Sequence, residues 1–148
     1  MKKKELLVII PAYNEETNIV RVLDDLEQPE IAEIADVLVM NDASSDATNW
    51  IVKARGHALV THVFKLGYGS ALQLGYKYAI RRGYRYVIQM DADGQHDACN
   101  IPVIYKRLQE KDADGNYRIL CFVQDSWKEV LIFRYHRRRS LHLSCSVL

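Results

Sequence analysis

Two acidic side chains follow an apolar stretch of the chain and are separated by a single residue. Residues 86–90 have the composition of a buried strand, and Asp91, Asp93 and Gly94 come directly after it. A turn over residues 92–94 would let both carboxylates face one ion, and oxygen ligands suit Mg²⁺ or Mn²⁺, which proteins commonly share with substrate phosphates. The alternative is an ordinary strand-ending turn, because Asp and Gly are common turn residues.

The elements that position this pair follow from apolar periodicity along the chain. The predicted strands cover residues 6–10, 37–40, 58–63 and 86–90, with 117–123 as a candidate fifth. The predicted helices cover residues 19–26, 47–55, 70–82 and 101–108, and we expect Asn14 to cap the first. Strand and helix alternate four times, which predicts an α/β fold with a mainly parallel sheet and right-handed crossovers.

Further polar groups fall at the ends of the predicted strands. Glu15 follows the first strand and Asp42 the second, and Gly67 and Gly69 open the third helix, where backbone amides could approach an anion. In a parallel sheet all of these lie along one edge. Carboxylates accept hydrogen bonds from ribose hydroxyls and base N–H groups, and a metal held by the aspartate pair could neutralise a diphosphate. The sequence therefore predicts a nucleotide-diphosphate site with a divalent ion, without a Walker or a G-x-G-x-x-G motif.

Composition limits the class of protein. The 148 residues suffice for one domain with a core, and the net charge of +1 gives no general attraction to nucleic acid or membrane. No apolar run reaches the roughly 20 residues that span a bilayer. The N-terminal apolar run stops at Pro11 without a small-residue cleavage site, so we interpret it as a strand. Cys99, Cys121 and Cys145 are widely spaced, which favours reduced thiols in a cytoplasmic protein.

Four segments, in order, resemble the successive motifs of family 2 glycosyltransferases. They are VIIPAYNEE at 8–16, VMNDASSDAT at 39–48, LGYGSALQLGY at 66–76 and QMDADGQHD at 89–97. The pattern is most similar to the small dolichyl- or polyprenyl-phosphate sugar transferases. The resemblance implies a GT-A fold, a UDP- or GDP-linked sugar donor and a polyprenyl phosphate or glycan as acceptor. It also implies a role in cell wall or polysaccharide biosynthesis, in the cytoplasm or at the inner face of the membrane.

The resemblance also assigns residues to the nucleoside end of the donor. It implies that the nucleoside pocket is lined by Pro11, Ala12, Tyr13 and Glu15. Glu15 would contact the ribose and Asp42 would read the base edge. For Tyr13, simple packing over the loop is an alternative.

Other motif residues fall at the diphosphate end. The glycine loop from Gly67 to Gly69 would lie near the diphosphate, and Asp91, Ala92 and Asp93 match the D-x-D motif that places the metal and the donor diphosphate. The residues that follow, Gln95, His96 and Asp97, are candidates for contact with the sugar or the acceptor. We assign Lys65 no role and expect Asp46 to cap a helix.

The resemblance weakens after residue 114, where the acceptor half of the family would begin. Codons for residues 115–119, GGN AAY TAY CGN ATH, read one base later permit GTA ATT ATC GGA TCC. This spells Val-Ile-Ile-Gly-Ser, which is close to the V-I-G-S-R-like motif that the resemblance implies there. We therefore hypothesise a donor-binding half over residues 1–114 and a frameshifted or poorly ordered tail over 115–148. The catalytic base would then be missing, and the basic run at 137–139 would carry no selected function.

Two alternative functions differ in class from an active transferase. One is a nucleotide-binding remnant without turnover, which would use the same binding residues. The other is a haloacid-dehalogenase-type phosphatase with Asp91 as the nucleophile and Asp93 as the acid/base. That family's loop continues with Thr or Val, whereas Gln95 stands here, and no lysine and acid pair follows convincingly.

Overall fold

The computed structural model describes residues 4–95, 97–112, 117–124, 129–136 and 146–147. The strands are β1 Leu6–Ala12, β2 Ala35–Asn41, β3 Ala58–Thr61, β4 Tyr86–Gln89, β5 Tyr117–Gln124, β6 Glu129–His136 and β7 Ser146–Val147. The helices are α1 Ile19–Leu26, α2 Pro29–Ala32, α3 Thr48–Ala54, α4 Tyr68–Arg82 and α5 Ile101–Lys111, with a short 3₁₀ helix, Ala98–Asn100, before α5.

One sheet contains all of these strands, in the order β3-β2-β1-β4-β5-β6-β7. The five strands from β3 to β5 run parallel, and β6 and β7 are added antiparallel. The predicted α/β architecture is therefore confirmed. After β1 the chain builds the sheet on one side through β2 and β3, then returns to the other side with β4, which opens a crevice at the carboxyl ends of β1 and β4.

Helices cover both faces of the central strands, which explains why β1 is a continuous apolar run. Every residue of β1 is buried. Leu6, Val8 and Ile10 face the core shared with α1 and α5, while Leu7 and Ile9 face α4. The helix α4 lies close to the sheet at Gly75, where an added Cβ would stand 3.3 Å from Cδ1 of Ile9.

Pro11 lies inside β1, although the sequence suggested that the strand would break there. The pairing of β1 with β4 ends at Ile9 and Gln89, whereas its pairing with β2 continues to Ala12 and Asn41. The backbone carbonyl of Ile9 accepts a hydrogen bond on the side of β1 that faces β4, and the carbonyl of Ala12 accepts one on the side that faces β2. Alternate residues of a strand point their backbone groups to the same side. Residue 11 therefore faces the β4 side beyond the last paired residue, where a missing N–H breaks no ladder hydrogen bond.

At the amino edge of the sheet, α5 is tied to β4 by a buried ion pair. The carboxylate of Asp112, which is 3% exposed, accepts from Nε of Arg85 at 2.9 Å and pairs with its Nη2 at 2.8 Å. The same carboxylate accepts a hydrogen bond from the hydroxyl of Tyr86 at 3.3 Å. The ring of Tyr105 in α5 packs edge-on against that of Tyr86. These contacts fix the amino end of β4.

Several predicted boundaries differ from the structure. The helix α2 was not predicted, and β3 ends at Thr61, two residues earlier than expected. The candidate fifth strand is confirmed as β5, but β6 and β7 have no alternating apolar pattern in the sequence and were missed. Cys99 is a free thiol, as predicted, whereas His96, the basic run at 137–139 and the side chains of the other two cysteines lie outside the described part of the chain.

Candidate functional site

A cavity of about 340 Å³ lies at the carboxyl ends of β1, β2 and β4. It is lined by Pro11, Ala12, Tyr13, Glu15, Asp42, Lys65, Gly67, Tyr68, Ala71, Asp91, Ala92 and Asp93. Nine of the ten site residues expected from the sequence are in this lining; Gly69 is not. The structure adds Lys65, Tyr68 and Ala71. Sequence reasoning assigned none of these side chains to the site, although Tyr68 belongs to the loop 67–69 expected near the diphosphate.

The loop after β1 is joined to the loop after β2 by side-chain hydrogen bonds. Oδ1 of Asn14 accepts from the amide of Ser45 at 2.9 Å, and the amide of Asn14 donates to Oγ of Ser44 at 2.9 Å. The amide of Glu15 donates to Oγ1 of Thr48 at 2.9 Å. Asn14, with a φ of +53°, therefore bridges two loops. The expectation that it caps the first helix is wrong, because α1 begins only at Ile19.

Asp46 and Glu16 complete this junction. Oδ1 of Asp46 accepts from the amide of Thr48, the first residue of α3, although the N-cap residue of this helix is Ala47. Its Oδ2 accepts from the amide of Glu16, and Oε2 of Glu16 accepts from the amide of Ala47. The junction fixes the backbone from which Tyr13 and Glu15 project into the cavity.

Asp42 is a buried carboxylate with three donors from its own chain. Its Oδ1 accepts from Nδ1 of His62 at 2.7 Å and from the amide of Leu66 at 2.8 Å, and its Oδ2 accepts from the amide of Gly67 at 2.8 Å. Burial raises the pKa of this carboxyl, but the three hydrogen bonds together outweigh it and hold the pKa below its usual range. Asp42 therefore anchors the segment 62–67, in addition to lining the cavity.

The glycine loop lies at the start of α4, where the sequence predicts that backbone amides approach an anion. Gly67 has a φ of +93°, a conformation that side-chain-bearing residues rarely adopt, and it stands immediately before α4. Its amide donates to Asp42. Gly69 lies in the first turn of α4, where an added Cβ would meet no atom within 4 Å.

The two aspartates of the strand-end turn both line the cavity. Ala92 between them is buried, and Gly94 takes a φ of +77° that closes the turn. Oδ1 of Asp93 accepts from the amide of Gln95 at 2.9 Å. Oδ1 of Asp91 accepts from the hydroxyl of Tyr68 at 2.8 Å.

A chain of side-chain hydrogen bonds leads from the sheet to Asp91. The hydroxyl of Tyr76 donates to Oε1 of Gln89 at 3.0 Å, and Nε2 of Gln89 donates to the hydroxyl oxygen of Tyr68. Burial, then the hydrogen bond to Asp91, and then the charges of Asp91 and Asp93 raise the pKa of Tyr68 above its usual range. Nothing in the local sequence signals this chain, because its members come from β4 and from two turns of α4.

Lys65 and Tyr13 form one wall of the cavity. The Lys65 ammonium lies 3.6 Å from the centroid of the Tyr13 ring, within the range of a cation–π contact. The lining thus carries a lysine together with the carboxylates of Glu15, Asp42, Asp91 and Asp93. The excess of negative charge favours a cation in the cavity.

The carboxylates fit a divalent metal that takes part of its ligands from a bound substrate. Within the described residues, no group of three or more His, Cys, Asp or Glu side chains could enclose an ion. Asp91 and Asp93 can offer oxygen ligands from one turn, which suits Mg²⁺ or Mn²⁺ bound through one or two carboxylates plus substrate phosphates.

A second cavity of about 640 Å³ lies between α1, α2 and the segment after Asp93. Gln95 and Asp97, expected from the sequence to contact sugar or acceptor, line this second cavity. Asp97 also accepts a hydrogen bond from the amide of Cys99 at the start of the 3₁₀ helix. The turn at residues 93–95 therefore separates the two cavities.

The parallel sheet and the acidic cavity at its carboxyl edge define a GT-A, Rossmann-like nucleotide-diphospho-sugar transferase fold. The sequence profile of glycosyl transferase family 2 matches residues 7–142, and the chain belongs to this family. The match includes residues 115–142, beyond the point at which the motif pattern weakens.

Two uncharacterized proteins of Methanocaldococcus jannaschii are related to the chain. MJ0544 is 35% identical over 121 residues, which cover 77% of this chain and 51% of that protein. MJ1222 is 34% identical over 106 residues, which cover 72% of this chain and 42% of that protein. The chain thus spans about half the length, or less, of the curated relatives that it matches.

Two solved structures of glucosyl-3-phosphoglycerate synthase from Mycobacterium tuberculosis share the fold. Their TM-scores are 0.57 and 0.55, each at 22% identity over 71% of this chain and 39% of that enzyme. One complex holds Mn²⁺, UDP and phosphoglyceric acid, and the other holds Mn²⁺, UDP and glucosyl-3-phosphoglycerate. At this identity the likeness establishes the fold alone.

Proposed function

We propose that the chain binds a nucleoside-diphosphate sugar with Mg²⁺ or Mn²⁺ and transfers the sugar to an acceptor oxygen. The observation that carries this proposal is the convergence of Glu15, Asp42, Asp91 and Asp93, from the ends of three parallel strands, on one cavity. Its volume falls in the range of small-molecule sites. Family membership, and a structural neighbour that binds UDP with Mn²⁺, support the same donor class.

The charges in the cavity require a cation before a diphosphate can bind. A diphosphate brought next to Asp91 and Asp93 would be repelled by both carboxylates. Asp91 and Asp93 would hold a divalent ion whose charge would offset this repulsion and would stabilise the nucleoside diphosphate as a leaving group. In this assignment Asp91 and Asp93 hold the metal and Lys65 adds positive charge on the wall formed with Tyr13.

The nucleoside would lie toward β1 and β2. Glu15 is half-buried and its Oε2 accepts from Nδ2 of Asn18 at 2.9 Å, so one end of this carboxylate is already oriented and the ribose hydroxyls are its proposed ligand. Tyr13 offers an aromatic face for the base. Asp42 stays our proposed base contact, although its three internal hydrogen bonds leave little capacity for a further donor.

The acceptor oxygen would attack the anomeric carbon as the nucleoside diphosphate departs, which inverts that carbon by direct displacement. A phosphate acceptor is favoured on chemical grounds. Its oxygens are largely ionised at neutral pH and need no protein base, whereas a sugar hydroxyl needs one. We therefore propose a lipid phosphate such as polyprenyl phosphate as the acceptor class, reached from the face of a membrane, with a saccharide as the alternative. Within the described residues, no helix is long and apolar enough to cross a bilayer.

Titration calorimetry tests the donor assignment. We expect UDP or GDP to bind only when Mn²⁺ or Mg²⁺ is present, and we expect Asp93→Asn to weaken that binding at least tenfold. Asp97→Asn is a matched control, because Asp97 lies on the same segment but lines the second cavity. An absence of metal-dependent heat with both nucleotides would contradict the proposal.

Measurement of sugar transfer distinguishes an active transferase from the alternative functions. The phosphatase interpretation is set aside by the family assignment. A nucleotide-binding remnant would bind the donor without transfer, so detection of labelled sugar on a polyprenyl phosphate or glycan acceptor excludes it. The frameshift after residue 114 stays a hypothesis, which sequencing of the coding DNA decides: the hypothesis fails if no other frame continues the family pattern.

A further inference from the structure

We propose that Tyr68 and Gln89 are positioning residues for Asp91, and that their hydrogen bonds hold this carboxylate in the orientation in which the site takes up its divalent cation. This inference rests on the proposed function, since it concerns the same cavity. Sequence reasoning assigned neither side chain a role at the site.

The chain of hydrogen bonds has a fixed direction of donation. A phenol carries one proton, and because the oxygen of Tyr68 accepts from Nε2 of Gln89, its own proton goes to Asp91. Gln89 is 6% exposed and its Oε1 is occupied by the hydroxyl of Tyr76, so its amide is held at both ends. Successive donations of this kind strengthen one another.

The backbone of Tyr68 is fixed as well as its hydroxyl. Gly67, directly before it, donates its amide to Asp42, and Tyr68 begins α4. Two consecutive residues therefore connect a carboxylate at the end of β2 with a carboxylate beyond the end of β4. The partly exposed Asp91 side chain is thereby tied to the buried interior of the sheet.

A positioned Asp91 retains the capacity to hold a metal. A carboxylate has about four lone-pair sites, so the single bond from Tyr68 does not by itself exclude a metal ion. A partner that orients a ligating carboxylate typically raises metal affinity by tenfold or more. If Tyr68 instead competed with the metal ion for Asp91, removal of the Tyr68 hydroxyl would increase the metal affinity. The two cases therefore predict opposite changes in metal affinity.

The first test measures Mn²⁺ uptake by electron paramagnetic resonance of free Mn²⁺, with UDP or with GDP present. We expect Tyr68→Phe to weaken Mn²⁺ binding about tenfold and Gln89→Leu to weaken it several-fold. The matched control is Tyr84→Phe, because Tyr84 donates to Asp36 at 2.7 Å at the opposite edge of the sheet. This control should lower the melting temperature without changing Mn²⁺ uptake.

The second test needs no ligand. Thermal unfolding in EDTA of Tyr68→Phe, Asp91→Asn and the double variant measures the coupling of the two side chains. We expect the double variant to melt about 3 °C above the value given by adding the single losses. Additive losses would show that the two side chains do not stabilise each other, which overturns the proposal.

The outcomes separate this inference from the proposed function. Unchanged or tighter Mn²⁺ uptake by Tyr68→Phe, with normal uptake by the wild type, overturns the positioning role alone. A wild type that takes up no Mn²⁺ with either nucleotide overturns the proposed function and this inference together.

Discussion

Replacement of Asp42 by Asn tests whether this carboxylate anchors the segment 62–67. The Asn side chain has one acceptor oxygen, whereas the carboxylate has two. Either the backbone amide of Gly67 or the donors of His62 and Leu66 would therefore face the NH₂ group of the Asn side chain. A buried donor without an acceptor costs about 1–3 kcal/mol, and each remaining bond loses roughly 1 kcal/mol of charge assistance. In the milder orientation Gly67 faces the NH₂ group and the bonds from His62 and Leu66 are weakened, so the sum is about 3–5 kcal/mol, which corresponds to a fall in melting temperature of roughly 8–15 °C for a chain of this size.

The same substitution should change how stability depends on pH. The pKa of Asp42 is lowered in the folded state, so its contribution to stability is present above the unfolded value of about 3.9 and is lost as the pH falls through the lower folded value. Below about pH 4 the wild type should therefore lose stability more steeply than Asp42→Asn. Scanning fluorimetry between pH 3 and 7 measures both curves.

Asp24→Asn provides the matched control for this prediction. The Asp24 side chain is 55% exposed and pairs with Arg55 at the surface, so its loss should cost no more than about 1 kcal/mol. Equal melting temperatures for Asp42→Asn and Asp24→Asn, or parallel acid profiles for Asp42→Asn and the wild type, would refute the anchoring role of Asp42.

Two other predictions concern α4 and the cavity wall. Gly69→Ala should raise the melting temperature by up to about 3 °C, because the added methyl meets no atom and a helical Gly costs about 1 kcal/mol relative to Ala. Gly75→Val should destabilise by about 1–3 kcal/mol, because its side chain would enter the close contact with the sheet; a stabilised variant would contradict that packing. Lys65→Met should weaken UDP–Mn²⁺ binding about fivefold in calorimetry, because a positive charge near the diphosphate is lost. The control is Lys53→Met. Equal binding by the two variants would exclude a role for Lys65.

The sequence predicted the parts of the fold that depend on local pattern. Because β1 is buried on both faces, its residues are uniformly apolar and identify a central strand of a parallel sheet. Asp91 and Asp93 could be assigned to one cavity because a parallel sheet brings all strand ends to one edge, and this follows from topology without side-chain coordinates.

Features that depend on contacts between distant residues could not be predicted. Asn14 has the residue type of a helix cap, but its partners, 30 and 31 residues later, determine its actual role. The hydrogen bond from Tyr68 to Asp91 depends on the position of α4 along the strands against which it packs. No local sequence pattern encodes that position. The place of Pro11 inside β1 depends on where β4 stops pairing with β1, and the local sequence around Pro11 does not contain that information.

The pairing of β4 with β5 links the site to a segment outside the four motifs. β4 carries Asp91 and Asp93 just beyond its end, and its four residues are buried between β1 and β5. A chain in which residues 117–124 failed to pair would expose one side of β4 as an open row of backbone donors and acceptors. Such an edge recruits strands from other molecules, so self-association of the protein would be the visible sign of damage in this segment, and the aspartate turn would be the part of the site most directly disturbed.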